Sequence, residues 1–332
     1  MQNPRVAVVG VGHLGQHHAR IFHELGVLSA VADSDAGRAA EVASRYRVPH
    51  STDYRTLLDG VDGVSIAVPT QYHFEVAKDF LERGIPALVE KPLTRTIEEG
   101  EELVRIARAR GAHLQVGHVE RFNPAVEAIL GHVRKPRFIE VHRLSPFRFR
   151  SSDIDVVMDL MIHDLDLVLH LAQSPLVRVD AVGTAFLFGK EDIANARLEF
   201  ESGCVANLTA SRISTMAKRK TRVFSDDCYV TIDTLKREAW VYRTSPQLVA
   251  ALAQISKERE PTLEDLALIP EDFYSIQEIR FAAEEEPLRK ELESFLSCLR
   301  TGTEPVVCGE HGVLAIRAAQ LVLREIRSHR WS

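Results

Sequence analysis

At 332 residues the chain is long enough for two domains that each bury a core, and its 45% hydrophobic and 27% charged residues suit a soluble globular protein. A formal net charge of -6 and a pI near 6.2 argue against nonspecific nucleic-acid binding, which rests on lysine and arginine neutralising phosphates. No apolar run approaches the roughly 20 residues that span a bilayer, and Met1-Gln2-Asn3-Pro4-Arg5 lacks the apolar segment of a signal peptide, so a cytoplasmic protein with no membrane partner is expected.

The β-branched run Val6 to Val9 meets Gly10-Val11-Gly12-His13-Leu14-Gly15, and apolar residues at helical spacing follow to Leu25. A second strand, Val27 to Ala32, ends at Asp33 and precedes a helix at Ala36 to Tyr46. Strand Gly63 to Val68, helix Tyr72 to Arg83, strand Ala87 to Val89, helix Ile97 to Arg110 and strand Leu114 to Val116 continue the alternation. Strands alternating with helices predict a doubly wound parallel sheet, placed at residues 1–120.

The texture then changes, and residues 121–332 read as a second, α+β domain with a large, mostly antiparallel open sheet. Helix Ala125 to Leu130, strand Phe138 to Leu144 and a strongly apolar helix at Val156 to Leu171 come first. Strand-like runs follow at 177–188, 194–200, 205–213, 222–224, 229–232 and 239–242, then a charged excursion over 248–286. Two helices, 288–299 and 312–326, close the chain and are expected to pack back on the first domain. The cysteines, Cys204, Cys228, Cys298 and Cys308, have no CxxC spacing and read as reduced thiols, and no metal site is implied.

A strand, the glycines Gly10, Gly12 and Gly15, a helix, and an acidic Asp33 about 20 residues on together form the context of a dinucleotide fingerprint. Gly10 permits the tight turn, Gly12 lets the backbone approach a pyrophosphate, and Gly15 allows close helix packing. The anion would rest on free amides at the helix N-terminus. Asp33 can accept from both ribose hydroxyls and repels a 2′-phosphate, which favours NAD over NADP, while Arg38 leaves room for NADP. Glu90-Lys91-Pro92 falls at the carboxyl end of a predicted strand, where such sheets bind ligands. Asp159 and His163 are spaced i, i+4 on the apolar helix, with Asp166 and His170 continuing the stripe. Oxidising a secondary alcohol needs a base near neutral pKa, and histidine oriented by a carboxylate supplies one.

These motifs in this order, with Val68-Pro69-Thr70 and His73 between them, resemble the glucose-fructose oxidoreductase and inositol dehydrogenase (Gfo/Idh/MocA) family. The resemblance implies NAD(P)-dependent oxidation of a sugar or polyol and a homodimer or homotetramer formed through the C-terminal sheet. It implies that Lys91 hydrogen-bonds the reacting hydroxyl, His163 acts as acid/base and Asp159 supports them, with a cis Lys91-Pro92 bond. His13, Leu14, Pro69, Thr70, His73, Glu90 and, after the last Rossmann strand, His118 would line the cofactor. A glycine pair frequent in the family before Asp159 is replaced by Ser151-Ser152-Asp153-Ile154-Asp155.

The segments 117–124 and 143–150 resemble the subgroup that oxidises the 3-hydroxyl of UDP-N-acetylglucosamine on the way to the amino sugars of lipid A. Arginine's planar fork suits a diphosphate, and Arg143, Arg148, Arg150, Arg212 and Lys218-Arg219-Lys220 form a basic set, of which Arg148 and Arg150 are the expected substrate contacts. Other readings stay open: an inositol- or glucose-type polyol dehydrogenase, an NAD-dependent glycosidase, and a dinucleotide sensor that regulates a partner.

Overall fold

A computed structural model describes residues 3–147, 154–187, 189–245, 274–281 and 286–329, together with 247, 249, 250 and 254. The chain divides into two compact units, residues 1–122 with 286–320, and residues 123–285 with 321–332.

The first unit carries a six-stranded sheet in which every pairing is parallel. Its strands are β1 (Val6–Val9), β2 (Leu28–Ala32), β3 (His50–Ser51), β4 (Gly63–Ile66), β5 (Ala87–Glu90) and β6 (Leu114–Gly117), in the order β3-β2-β1-β4-β5-β6. That order belongs to a Rossmann sheet, whose switch point lies between β1 and β4. Every residue of β1, β4, β5 and β6 is buried, as expected for a parallel sheet with helices on both faces. Only β3 escaped the sequence reading, because two residues carry no periodicity.

Helices α1 (Gly15–Glu24), α2 (Ala36–Tyr46), α3 (His73–Glu82) and α4 (Ile97–Arg110) connect these strands. Their ends follow local chemistry. Asp35 accepts from the Arg38 N–H at the start of α2, Thr96 accepts from the Glu99 N–H at the start of α4, and Gly111 at φ 63° ends α4. Helix α7 (Pro287–Thr301, the numbering running on from α5 and α6 below) also belongs to this unit. Its Leu292, Phe295 and Leu296 join Val6, Val8, Phe22 and Leu88 in one buried cluster.

The second unit contains α5 (Pro124–Leu130), α6 (Ile162–Ala172) and an eight-stranded sheet. The strands are β7 (Phe138–Leu144), β8 (Leu176–Thr184), β9 (Ile193–Phe200), β10 (Val205–Ser211), β11 (Lys218–Phe224), β12 (Cys228–Asp233), β13 (Glu238–Thr244) and β14 (Tyr274–Arg280). Their order is β14-β13-β12-β11-β7-β10-β9-β8, and all pairings are antiparallel except β7 with β10. The sequence reading took 248–286 for an excursion, yet β14 forms inside it as an edge strand on β13. Helix α8 (Gly309–Ser328) closes the chain.

Candidate active site

A cavity of about 770 Å³ opens at the carboxyl ends of β1, β2 and β4. Gly10, Gly12, His13, Leu14, Asp33 and Pro69 line it, so six of the expected cofactor residues meet there. Arg38, Thr52, Tyr54, Arg55 and Tyr72 line it as well. Sequence reasoning raised only Arg38 among these, since the others sit on short 3-10 turns and their connections, which leave no periodic trace.

The three glycines do different work. A Cβ on Gly15 would lie 1.8 Å from the Gly10 carbonyl oxygen, and one on Gly10 2.8 Å from the Ala67 backbone, so both are demanded by packing. Gly10 also has φ 83°, the left-handed region. A Cβ on Gly12 would meet nothing nearer than Arg38 at 3.9 Å. The protein therefore has no steric need for glycine at 12, and the bare backbone faces the cavity, which is where a pyrophosphate must come close. The cradle fits a dinucleotide on this observation.

Asp33 is buried at the end of β2 and holds the fingerprint turn from the side. One carboxylate oxygen accepts from the Val11 N–H at 2.9 Å, the other from the Asp35 N–H at 2.9 Å. Arg38 Nη1 stands 3.3 Å away. A carboxylate has about four acceptor positions, so Asp33 keeps capacity for a ribose hydroxyl.

His73 and Glu90 are both tied into the scaffold. Both ring nitrogens of the buried His73 lie 2.8 Å from carbonyl oxygens, Nδ1 from Pro92 and Nε2 from Val68. The ring thus ties the connection after β4 to the Lys91-Pro92 turn and does not line the cofactor cavity. Burial lowers its pKa and outweighs the two carbonyls, which favour the imidazolium. Glu90 turns inward as well: His18 Nε2 lies 3.1 Å from one carboxylate oxygen, and the Lys91 N–H donates to the other at 3.2 Å. His18 completes a chain to Ser65 Oγ at 2.7 Å. Thr70 and His118 stand outside the cavity lining, and His118 is buried behind the end of β6. Lys91 is half-buried directly after β5, and its bond to Pro92 is cis, as the resemblance implies.

In the second unit, Asp159 and His163 are half-buried, one in a π-helical turn at Val157–Met161 and the other in the first turn of α6. The Ile162 N–H reaches the Val157 carbonyl, an i to i+5 bond, so the simple 3.6-residue stripe expected for Asp159 and His163 is interrupted between them. Such single π turns recur at functional sites. Asp155 accepts from the Met158 N–H at 2.8 Å and fixes the entry to this turn. Asp166, further along the same helix, is buried.

The basic set is reduced. Along β7, Ile139, Val141 and Arg143 face inward, because side chains alternate across a strand. Arg143 Nε and Nη2 accordingly donate to buried Asp164 at 2.8–2.9 Å. Arg212 is likewise buried, with Nε donating to Asp192 at 2.7 Å and Nη1 to the Ile154 carbonyl at 2.5 Å. Both guanidinium groups therefore serve the scaffold. Arg148 and Arg150, with the Ser151-Ser152-Asp153 departure, lie outside the described residues. Among the described residues no group of three His, Cys, Asp or Glu could hold a metal ion.

Both parts of the chain match known protein families. Residues 4–118 match the Gfo/Idh/MocA oxidoreductase family with its NAD-binding Rossmann fold, and residues 125–231 match the family's C-terminal domain. The UDP-N-acetylglucosamine 3-dehydrogenase of Acidithiobacillus ferrooxidans is 37% identical over 98% of this chain and 97% of its own length. Its solved structure superposes with a TM-score of 0.87 over 99% of both chains. The scyllo-inositol 2-dehydrogenase (NAD(+)) of Bacillus subtilis is 29% identical over 91% of this chain and 88% of its own length.

Proposed function

The chain belongs to the Gfo/Idh/MocA family of oxidoreductases, and from that premise we propose that it oxidises the 3-hydroxyl of UDP-N-acetylglucosamine with NAD. One observation carries the reading: 37% identity to a UDP-N-acetylglucosamine 3-dehydrogenase is sustained along 98% of the chain.

In this reading the backbone at Gly12 and the first amides of α1 hold the pyrophosphate, and Asp33 accepts from the adenine ribose. Bound NAD supplies the hydride acceptor. Lys91 donates a hydrogen bond to the reacting hydroxyl and stabilises negative charge that grows on its oxygen as the C–H bond breaks. His163 takes the hydroxyl proton, and Asp159 orients the ring and favours its protonated form. The hydroxyl thus loses a proton to protein and its carbon loses a hydride to the cofactor, leaving a 3-keto sugar. Such a ketone is what an aminotransferase consumes, in keeping with amino-sugar synthesis for lipid A. Asp33 favours NAD, and Arg38 at the cavity wall sets how much NADP is tolerated.

No helix among the described residues is long and apolar enough to cross a membrane, and the cytoplasm, where NAD and UDP-sugars are found, is the proposed location. The outer face of the large sheet exposes Val177 (62%) and Phe224 (37%), with Phe224, Tyr229 and Tyr242 forming a stacked row. That face supports a homodimer or homotetramer, and sedimentation giving only a 37.2 kDa species would refute it.

The test is incubation with NAD and a panel of UDP-sugars and free polyols, following NADH by absorbance and the keto product by mass. Oxidation of UDP-N-acetylglucosamine is expected. Turnover of inositol or free glucose alone would overturn the substrate and leave the polyol dehydrogenase reading, which the likeness to scyllo-inositol 2-dehydrogenase favours.

A further inference from the structure

Helix α7 presents Leu292, Phe295 and Leu296 to the core of the first unit, and Glu291 beside them is fully buried, at 0% exposure. Neither carboxylate oxygen of Glu291 has a hydrogen-bond partner among the described residues. A buried carboxylate in that state costs several kcal/mol, so it is either paired or neutral. Its surroundings identify which.

Gln115 on β6 donates its amide N–H to the Glu291 backbone carbonyl at 3.0 Å. This fixes which end of the amide is nitrogen and leaves Gln115 Oε1, also buried, as an acceptor with no donor among the described residues. The Glu90 carboxylate is the second acceptor group near Glu291, and it is hemmed in: a Cβ on Gly117 would lie 3.0 Å from its carboxyl carbon. Gln115 Oε1 and both Glu291 oxygens are buried with no donor among the described residues, and a proton on the Glu291 carboxyl removes its charge and makes it a donor.

The charged groups on the elements around α7 have interactions of their own. On α1, His18 faces Glu90, while Arg20 and Glu24 pair with Glu286 and Arg289 at the outer rim. Glu120 and Arg121, on the 3-10 turn Val119–Phe122 that packs on α7, have partners of their own. Lys91 contributes charge and its N–H to Glu90. Burial first, and the charge of Glu90 second, raise the Glu291 carboxyl well above the usual range, whereas Glu90, despite burial, is held below it by His18 and then Lys91.

We infer that Glu291 is a positioning residue: a neutral carboxylic acid buried beside Gln115 and Glu90, backing the strand end that carries Lys91. The inference rests on the proposed function only in giving Lys91 a part in turnover. With its neutral neighbour behind it, Glu90 carries a single charge directed at His18 and the Lys91 N–H. Ionisation of Glu291 would set two like charges in one dry space and push the end of β5 outward.

The full-length protein labelled with ¹³C-carboxyl glutamate is examined by infrared spectroscopy at pH 8, as wild type, Glu291→Gln and Glu291→Ala. A protonated-carboxyl C=O band is expected in the wild type and absent from both variants. Absence of the band from the wild type, or its persistence in Glu291→Gln, overturns the inference. For the positioning role, acylation of Lys91 by an amine-directed reagent is followed by peptide mass against pH. Glu291→Ala is expected to change its rate on the order of 10-fold, the scale felt when a group that orients a reacting one is lost, and Glu291→Gln to restore it. An unchanged rate in Glu291→Ala overturns that role. Neither readout uses a sugar, so failure of the substrate reading leaves both intact.

Discussion

His18 Nε2 stands 3.1 Å from the Glu90 carboxylate, with the imidazole wholly buried beneath the cofactor cradle. The pair joins α1, which the glycine fingerprint opens, to the last residue before Lys91. A change at either residue is therefore felt in both places.

The pH dependence of this pair follows from the sign of the Glu90 shift. Burial would raise its carboxyl, but His18 and Lys91 outweigh burial and hold it below the usual range. A carboxyl depressed on folding adds stability above its unfolded pKa, about 4.3, which is lost as pH falls through the folded value. Glu90→Gln is expected to lose about 1–3 kcal/mol at pH 7, and the deficit shrinks toward zero below about pH 4. Urea unfolding at pH 7 and in mild acid checks this, and a deficit equal at both would contradict it.

Gly12 and Gly15 differ in what alanine does. The Gly12 Cβ would meet only Arg38 at 3.9 Å, so Gly12→Ala is expected to unfold within about 0.5 kcal/mol of wild type while NAD affinity drops. Gly15→Ala, with its Cβ 1.8 Å from a backbone oxygen, should lower the melting temperature with or without NAD. Thermal melts with a cofactor titration separate the two, and equal melting losses would refute the assignment.

Asp33 and Arg38 stand 3.3 Å apart at the cavity wall, and in the proposed function they set the choice of cofactor. Asp33→Asn removes the charge that disfavours a 2′-phosphate and weakens a charge-assisted bond worth about 1.5–3 kcal/mol, so the NAD to NADP preference in kcat/KM should fall by roughly 10- to 100-fold. Arg38→Ala should shift the preference the other way. Steady-state kinetics with each cofactor decide it.

Arg212 clasps Asp192 and the Ile154 carbonyl, and the Val156 N–H donates to the Glu191 carbonyl at 3.0 Å. These bonds moor the entry to the π turn that carries Asp159. Arg212→Ala removes the ion partner of buried Asp192, which keeps the Phe186 and Leu187 N–H groups, and should cost about 1–3 kcal/mol. If the turn depends on this mooring, kcat falls while the KM for NAD stays near wild type. A fall in NAD affinity with kcat intact would point elsewhere.

The Rossmann half was largely legible because each parallel strand is a short buried run of apolar residues and each helix is amphipathic, both local patterns. The reading of β14 failed for the converse reason: an edge strand such as Tyr274–Arg280 has exposed, charged positions and is held by its backbone pairing to β13. Arg143 was counted in the basic set by residue type, although its parity with Ile139 and Val141 already pointed inward.

By itself the sequence determined the strand and helix alternation, the glycine fingerprint with Asp33, and the presence of Lys91, Asp159 and His163, because spacing and turn chemistry are properties of neighbouring residues. Only the tertiary structure decided the commitments of His73 to two carbonyls, Glu90 to His18, Arg143 to Asp164, and Glu291 to a place with no ion partner among the described residues. Those depend on burial and on groups far apart in the chain, whose energies are set by what surrounds them once the chain has folded.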